Sequence, residues 1–321
     1  MNDVVAFLAA CFSTPALLTS ACALAIVPPL AWLVVRALAP TLRAMDGDPG
    51  WQAPLAAAAA ALPAFLFIVI GVVTLRDTWG SVCLQFVTGR VLYTAIAVVT
   101  VFGFVRAVTL LRRRTAEIDR LIASSTPASP ALAAATAAQG LDAREVPSNE
   151  AFILLAGIAR PVVLVSTEAL RRLDPSQLDA AIRHEAAHSD RGDQVISAVV
   201  TFVSDIIPLP VGDLVALYRQ AREFAADAHA ASRIDPCDLA GALLALARGG
   251  SVPAGAAALA EAGTVRARLA VLLTDTPPPP SRVRRLLVAS SLVTTFALGA
   301  SPAIAALVYG IQCTIPTMRM T

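Results

Sequence analysis

Asp174-Pro175-Ser176-Gln177-Leu178-Asp179-Ala180-Ala181-Ile182-Arg183-His184-Glu185-Ala186-Ala187-His188 is the stretch that decides how this chain is read. It opens as a helix, with Asp174 at the N-cap, Pro175 at the first helical position and Gln177 completing a capping-box pair. On that helix His184 and His188 stand one turn apart on a shared face, with Glu185 beside them. Two imidazoles and a carboxylate in the H-E-x-x-H pattern are the donor set of a zinc site that splits peptide bonds. The chain has only three histidines in 321 residues, and two of them fall in this pentapeptide. A chance match in a chain of this composition is roughly one in a thousand.

A catalytic zinc site uses three protein ligands and leaves one position for water. His184 and His188 are the expected first two ligands, and Glu185 the expected general base. Arg222-Glu223-Phe224-Ala225-Ala226-Asp227 offers Glu223 as the third ligand, on a helix predicted over Asp213 to Ser232. Asp227 is four residues on, shares that face, and is expected to hold a ligand histidine in one tautomer. Asp193 reads equally as a supporting carboxylate or a helix-end charge. His229 lies about 160–200° around the helix from Glu223 and Asp227, so a surface or supporting role is expected rather than a ligand. His229 and Arg222, and more weakly Arg183, stand as candidates to touch substrate or steady an oxyanion.

The rest of the chain is apolar, at 57% hydrophobic residues and a mean hydropathy of +0.70. No charge occurs between Asp3 and Arg36, between Asp48 and Arg76, or between Arg285 and Arg319. Each window exceeds the ~20 residues a helix needs to cross hydrocarbon. A fourth, about Val91 to Leu111, holds only Arg106, near its end, where a long side chain can snorkel. The expectation is a mainly α polytopic protein with about four spans and an α+β zinc domain carrying a small sheet. Spans one and two are placed at Pro15–Leu38 and Pro54–Leu75, joined to span three by a loop at Asp77–Arg90 that holds Trp79 and Phe86. A cleaved signal peptide is not expected, because the first window has no basic leader and no polar transition after it.

Every basic residue is arginine. Arg36 and Arg43 follow span one, Arg112, Arg113 and Arg114 follow span three, and Arg282, Arg284 and Arg285 precede span four. Placing the arginine-rich ends inside puts the N-terminus outside and the zinc domain in the cytoplasm. The division is then 1–114 (three spans), 115–283 (cytoplasmic metalloprotease domain) and 284–321 (fourth span and outer tail). A net charge of +2 gives no reason to expect nucleic acid as a partner. Cys11 and Cys22 sit in or beside span one, and Cys237 is expected in the cytoplasm. Cys83 and Cys313 share the outer side, where a disulfide and two free thiols are equally compatible with the sequence.

Within the cytoplasmic part, Ala116–Ile122 reads as an amphipathic helix and Ala123–Pro130 as a linker. Ala151–Leu155 and Pro161–Ser166 read as strands, against whose edge an extended substrate could lie. Val195–Val211 is apolar but carries Asp205, Pro208 and Pro210. It is expected at the membrane surface or under the catalytic domain, with a hairpin insertion as the alternative. Pro277–Pro280 closes the domain.

These motifs together, from Phe152–Ser166 through Leu173–Leu178, His184–His188 and Asp193 to Glu223–Asp227, resemble the M56 membrane metallopeptidases of the BlaR/MecR type. Glu-Phe-x-x-Asp with Asp193 also resembles the M48 group of HtpX/Ste24-like proteases, but three spans ahead of the motif and one after favour M56. The resemblance implies a Zn2+-dependent endopeptidase in the cell membrane, working in regulatory signalling, with a BlaI-type repressor as one implied substrate. Other partners it leaves open are a membrane sensor or a second copy of the chain. The penicillin-binding sensor that follows the last span of BlaR/MecR receptors is not expected, since the sequence ends about ten residues past span four. The rival readings are an M48-like quality-control protease and a silent scaffold with a structural zinc.

Overall fold

The helix opened by Asp174 is the centre of the fold in space as well as in sequence. The computed structural model describes residues 15–45, 48–79, 87–158, 160–207, 209–247, 262–274 and 281–314. Three long helices come first: α1 (Pro15–Arg43), α2 (Pro49–Trp79) and α3 (Val87–Ser124). A strand-rich segment follows, with β1 (Thr126–Pro127), α4 (Pro130–Ala137), β2 (Asp142–Val146), β3 (Ile153–Ala156) and β4 (Val162–Ser166). The remainder is helical: α5 (Thr167–Arg172), α6 (Pro175–Asp190), α7 (Asp193–Ile206), α8 (Gly212–Ala231), α9 (Pro236–Ala247), α10 (Ala262–Leu272) and α11 (Arg282–Thr314).

Among the described residues, three helices are long and apolar enough to cross a membrane: Ala23–Arg43, Pro49–Val73 and Arg282–Ser301. The predicted third span lies inside α3, which runs unbroken from Val87 past Arg112–Arg114 to Ser124. The expected boundary at 114/115 therefore falls within a continuous helix. Its far end packs Ile118, Leu121 and Ile122 on Val146, Phe152, Leu154 and Leu164 of the sheet. The Asp77–Arg90 loop is shorter than expected, since α2 reaches Trp79 and α3 begins at Val87. Phe86, the Pro277–Pro280 run and the side chains of Trp79, Cys83 and Cys313 lie outside what is described.

The sheet is mixed, in the order β1-β2-β4-β3. β2 runs parallel to β4, and β1 and β3 pair antiparallel with β2 and β4. Ser166 N–H bonds the Phe152 carbonyl, so Phe152, Leu154 and Ala156 face β4 and the main-chain groups of Ile153 and Leu155 face the open edge. That edge lies against α6.

Helix α6 starts with both halves of the expected capping box in place. One apolar core joins α1 and α2 (Val35, Leu42, Ala59, Ala60) to α8 (Leu214, Leu217, Tyr218, Ala221) and α11 (Val288, Leu292). The alanines of α2 let these backbones approach closely. Val195–Val211, read as an apolar segment interrupted by Asp205 and two prolines, falls mostly within α7, which ends at Ile206 before α8 begins at Gly212.

Candidate metal centre

Helix α6 presents His184, Glu185 and His188 inward, all three buried. Their imidazole rings meet edge to face at 4.8 Å between centroids. Helix α8 packs against α6 and brings Glu223, buried, between them. His184 Nε2 lies 3.3 Å from Glu223 Oε2, and His188 Nε2 3.6 Å from Glu223 Oε1. One ligand atom from each of the three residues falls within 4.8 Å of the others.

The outer ring nitrogens are held by carboxylates. His188 Nδ1 donates to Asp193 Oδ2 at 2.7 Å, and His184 Nδ1 stands 2.9 Å from Asp227 Oδ1. A carboxylate on Nδ1 keeps the proton there and leaves the Nε2 lone pair facing inward, the tautomer a metal needs. Asp193 does both things its sequence position allowed: it sits in the first turn of α7 and bonds a histidine.

Two guanidinium groups close the cluster. Arg222, mostly buried, donates to Glu223 Oε1 at 2.7 and 3.2 Å and to Ser197 Oγ at 2.8 Å. Arg268 of α10, fully buried, grips Asp227 with two bonds of 2.7 and 2.6 Å and approaches Glu223 Oε2 at 3.3 Å. The sequence offered no sign that Arg268, rather than Arg266 beside it, belongs here. The available hint was indirect: a buried Asp227 needs a cationic partner.

His229 is not in the cluster; its Nε2 sits 2.8 Å from Arg233 Nη1 and 3.6 Å from Asp190. Arg183 is spent on Asp179 at 2.8 Å. Arg222 is present: its hydrogen bonds go to Glu223 and Ser197, and it also lines the cleft between α3, α7 and α8. Cys237 is a free, exposed thiol.

Electrostatics follow from this crowding. Burial alone would raise the carboxyl of Glu223, but the charges of His188 and Arg222 and the close approach of both histidines hold it well below the usual range. Burial disfavours the cation of His184, yet hydrogen bonds to Asp227 and Glu223 outweigh that and push it up to about 9. Glu185 is raised, mainly by burial, against the pull of both histidines. Its Oε2 accepts the Leu155 N–H from the open edge of β3 at 2.8 Å.

The residues present fit a zinc ion. Two imidazoles and a carboxylate are a common zinc donor set, and one donor atom from each of His184, His188 and Glu223 lies within 4.8 Å of the others. Glu223 Oε2 is buried without a hydrogen-bond donor.

Such a cluster beside a carboxylate on a strand edge is the kind of arrangement metal-dependent hydrolases use. A family model described as BlaR1 peptidase M56 matches residues 73–272, from within α2 to the end of α10, and so includes every residue of the cluster. This chain belongs to the M56 peptidase family. No curated protein and no solved structure matches it.

Proposed function

We propose that the protein is a membrane-integrated zinc endopeptidase that cuts an extended protein segment at the cytoplasmic face, by a gluzincin-type arrangement. The observation that carries this reading is the convergence of His184, His188 and Glu223 within reach of Glu185, which itself touches the edge of β3. His184, His188 and Glu223 would hold the zinc, with Asp227 and Asp193 fixing the two rings and Arg268 and Arg222 fixing the two helix-α8 carboxylates. When bound, zinc supplies a Lewis acid that polarises a carbonyl and acidifies a water. Glu185, its affinity for a proton raised by burial, takes the proton from the attacking water and returns it to the leaving amine.

The substrate chain would pair as an added strand with the edge-facing main-chain groups of Ile153 and Leu155, taking over the Leu155 N–H that Glu185 holds here. Beside it lies an apolar recess of about 40 Å³ between Ile153, Ala181, Leu243 and Leu246, suited to a hydrophobic side chain next to the cut. On the other side a cleft of about 800 Å³ between α3, α7 and α8 reaches Leu155 and Arg222 and gives the remaining chain room.

The test is Glu185→Gln in the full-length protein. Proteolysis of a casein or repressor substrate is expected to vanish while bound zinc stays near one equivalent per chain; undiminished cleavage would falsify the assignment. A BlaI-type repressor is the substrate suggested by family, and a genomically adjacent repressor left intact in the presence of zinc would remove it.

The arginine-rich ends Arg36–Arg43, Arg112–Arg114 and Arg282–Arg285 support four spans with α4 to α10 inside. In intact spheroplasts a membrane-impermeant maleimide is expected to spare the exposed Cys237 and to label it after lysis. Labelling before lysis would reverse the orientation.

A further inference from the structure

Helix α7 has two faces of opposite character. Val195, Ile196 and Val199 are 49%, 40% and 53% exposed. At about 100° per residue these three share an arc of roughly 120° with Phe202 and Val203, so one side of the helix is a continuous apolar stripe. Opposite it stand Asp193 and Ser197. Asp193 bonds His188. Ser197 Oγ accepts from Arg222, which bonds Glu223, and is 3.0 Å from the Tyr218 hydroxyl.

Contacts place this helix beside the apolar spans. Gly103 of α3, about 12 Å of helix short of Leu111, meets the Ile206 backbone so closely that a Cβ there would overlap the Ile206 carbonyl. Phe202 packs edge-on against Phe104, itself 53% exposed. The turn after α7 reaches α1, where the Trp32 indole donates to the Pro210 carbonyl at 3.2 Å and Arg36 lies 3.7 Å from Asp213. Asp205, the acidic residue near the end of α7, is paired with Arg114 at 2.9 Å. The stripe thus lies beside α3, whose Val98, Val101, Phe102 and Val105 are likewise exposed and apolar.

We propose that α7 is embedded in the cytoplasmic leaflet with lipid acyl chains covering its apolar stripe, and that through Asp193 and Ser197 this contact positions His188 and Glu223. The second half rests on the metal-site reading; the first does not. The bilayer then belongs to the scaffold of the site: the same rigid helix is seated by lipid on one side and holds two of the three metal-facing residues on the other. Loss of lipid packing would let α7 tilt and carry Asp193 and Ser197 away from their partners.

Two measurements on the full-length chain in phosphatidylcholine–phosphatidylglycerol vesicles test this. An environment-sensitive fluorophore is attached at Ile196→Cys or Val199→Cys, with the native cysteines replaced, and at native Cys237 as reference. Doxyl-labelled lipids are expected to quench the α7 positions and spare Cys237, and aqueous iodide to do the reverse. Iodide access at 196 and 199 equal to that at 237, or shielding there from both quenchers as a protein cover would give, overturns the lipid contact.

The second measurement is zinc retention against a chelator. Val199→Asp touches no metal-facing residue, yet its affinity is expected to fall about tenfold, the scale seen when groups supporting a ligand are lost. Leu286→Asp, 69% exposed on the outward side of α11 and in none of the bonds that hold the metal-facing residues, is expected to leave it unchanged. Val199→Thr keeps the side chain's shape and is expected to shift affinity the same way by less. Unaltered affinity in both Val199 variants ends the coupling. Wild-type protein that binds no zinc would end the metal-site reading instead, and the quenching result would still decide where α7 lies.

Discussion

Arg268 is the side chain on which the buried charge of the site turns. It is fully buried, makes two bonds to Asp227 and stands 3.3 Å from Glu223. Breaking a buried ion pair by deleting one partner costs about 3–5 kcal/mol, because the other charge is stranded. Arg268→Met is therefore expected to lower the melting temperature sharply and to weaken zinc binding, since Asp227 would no longer hold His184. Arg268→Lys should recover only part of this, because an ammonium cannot reproduce two parallel bonds. A melting temperature within a degree or two of wild type for Arg268→Met would show that the pair is dispensable. At this scale the sequence was legible where spacing carries chemistry: His184, Glu185 and His188 by their pentapeptide, Glu223 and Asp227 by their shared helix face. Arg268 was not, because it comes from a separate helix and nothing local distinguishes it from its neighbours.

Helix α6 could be read almost to the residue, since a capping box states its start in local chemistry. β3 and β4 began within two residues of expectation because their apolar, β-branched runs face the core. β2 was missed. Asp142-Ala143-Arg144-Glu145-Val146 carries three charges and reads as a loop, and only its parallel pairing with β4 makes it a strand. Helix α7 was obscured for a different reason: Asp205 and Pro210 look like interruptions until Arg114 and Trp32 of α1 are seen to meet them. Packing of α7 on α3 depends on Gly103, whose missing Cβ admits the Ile206 backbone. Gly103→Val should push the two helices apart. The expected outcome is faster proteolytic nicking between α7 and α8 with the zinc motif itself untouched, and a nicking rate equal to wild type would show the contact to be loose.

At the scale of the whole molecule, the membrane helices and the site share structure rather than adjoin it. α3 runs on into the sheet's core, and α8, which carries Glu223 and Asp227, is packed among α1, α2 and α11. Charge-free windows made the apolar helices legible, but periodicity along one chain cannot say which faces meet, so the common core was invisible in the sequence. Its consequence concerns modularity. A protein of this plan has no seam at which a water-soluble protease could be excised. A fragment of residues 115–283 would expose Leu214, Leu217, Tyr218 and Ala221 and lose the first part of α3. It is expected to aggregate or stay unfolded by circular dichroism even with zinc supplied. A monomeric, folded, zinc-binding fragment would refute this. For this chain, the apolar helices are no detachable anchor, because α1, α2 and α11 supply the core against which the helix bearing Glu223 and Asp227 is set.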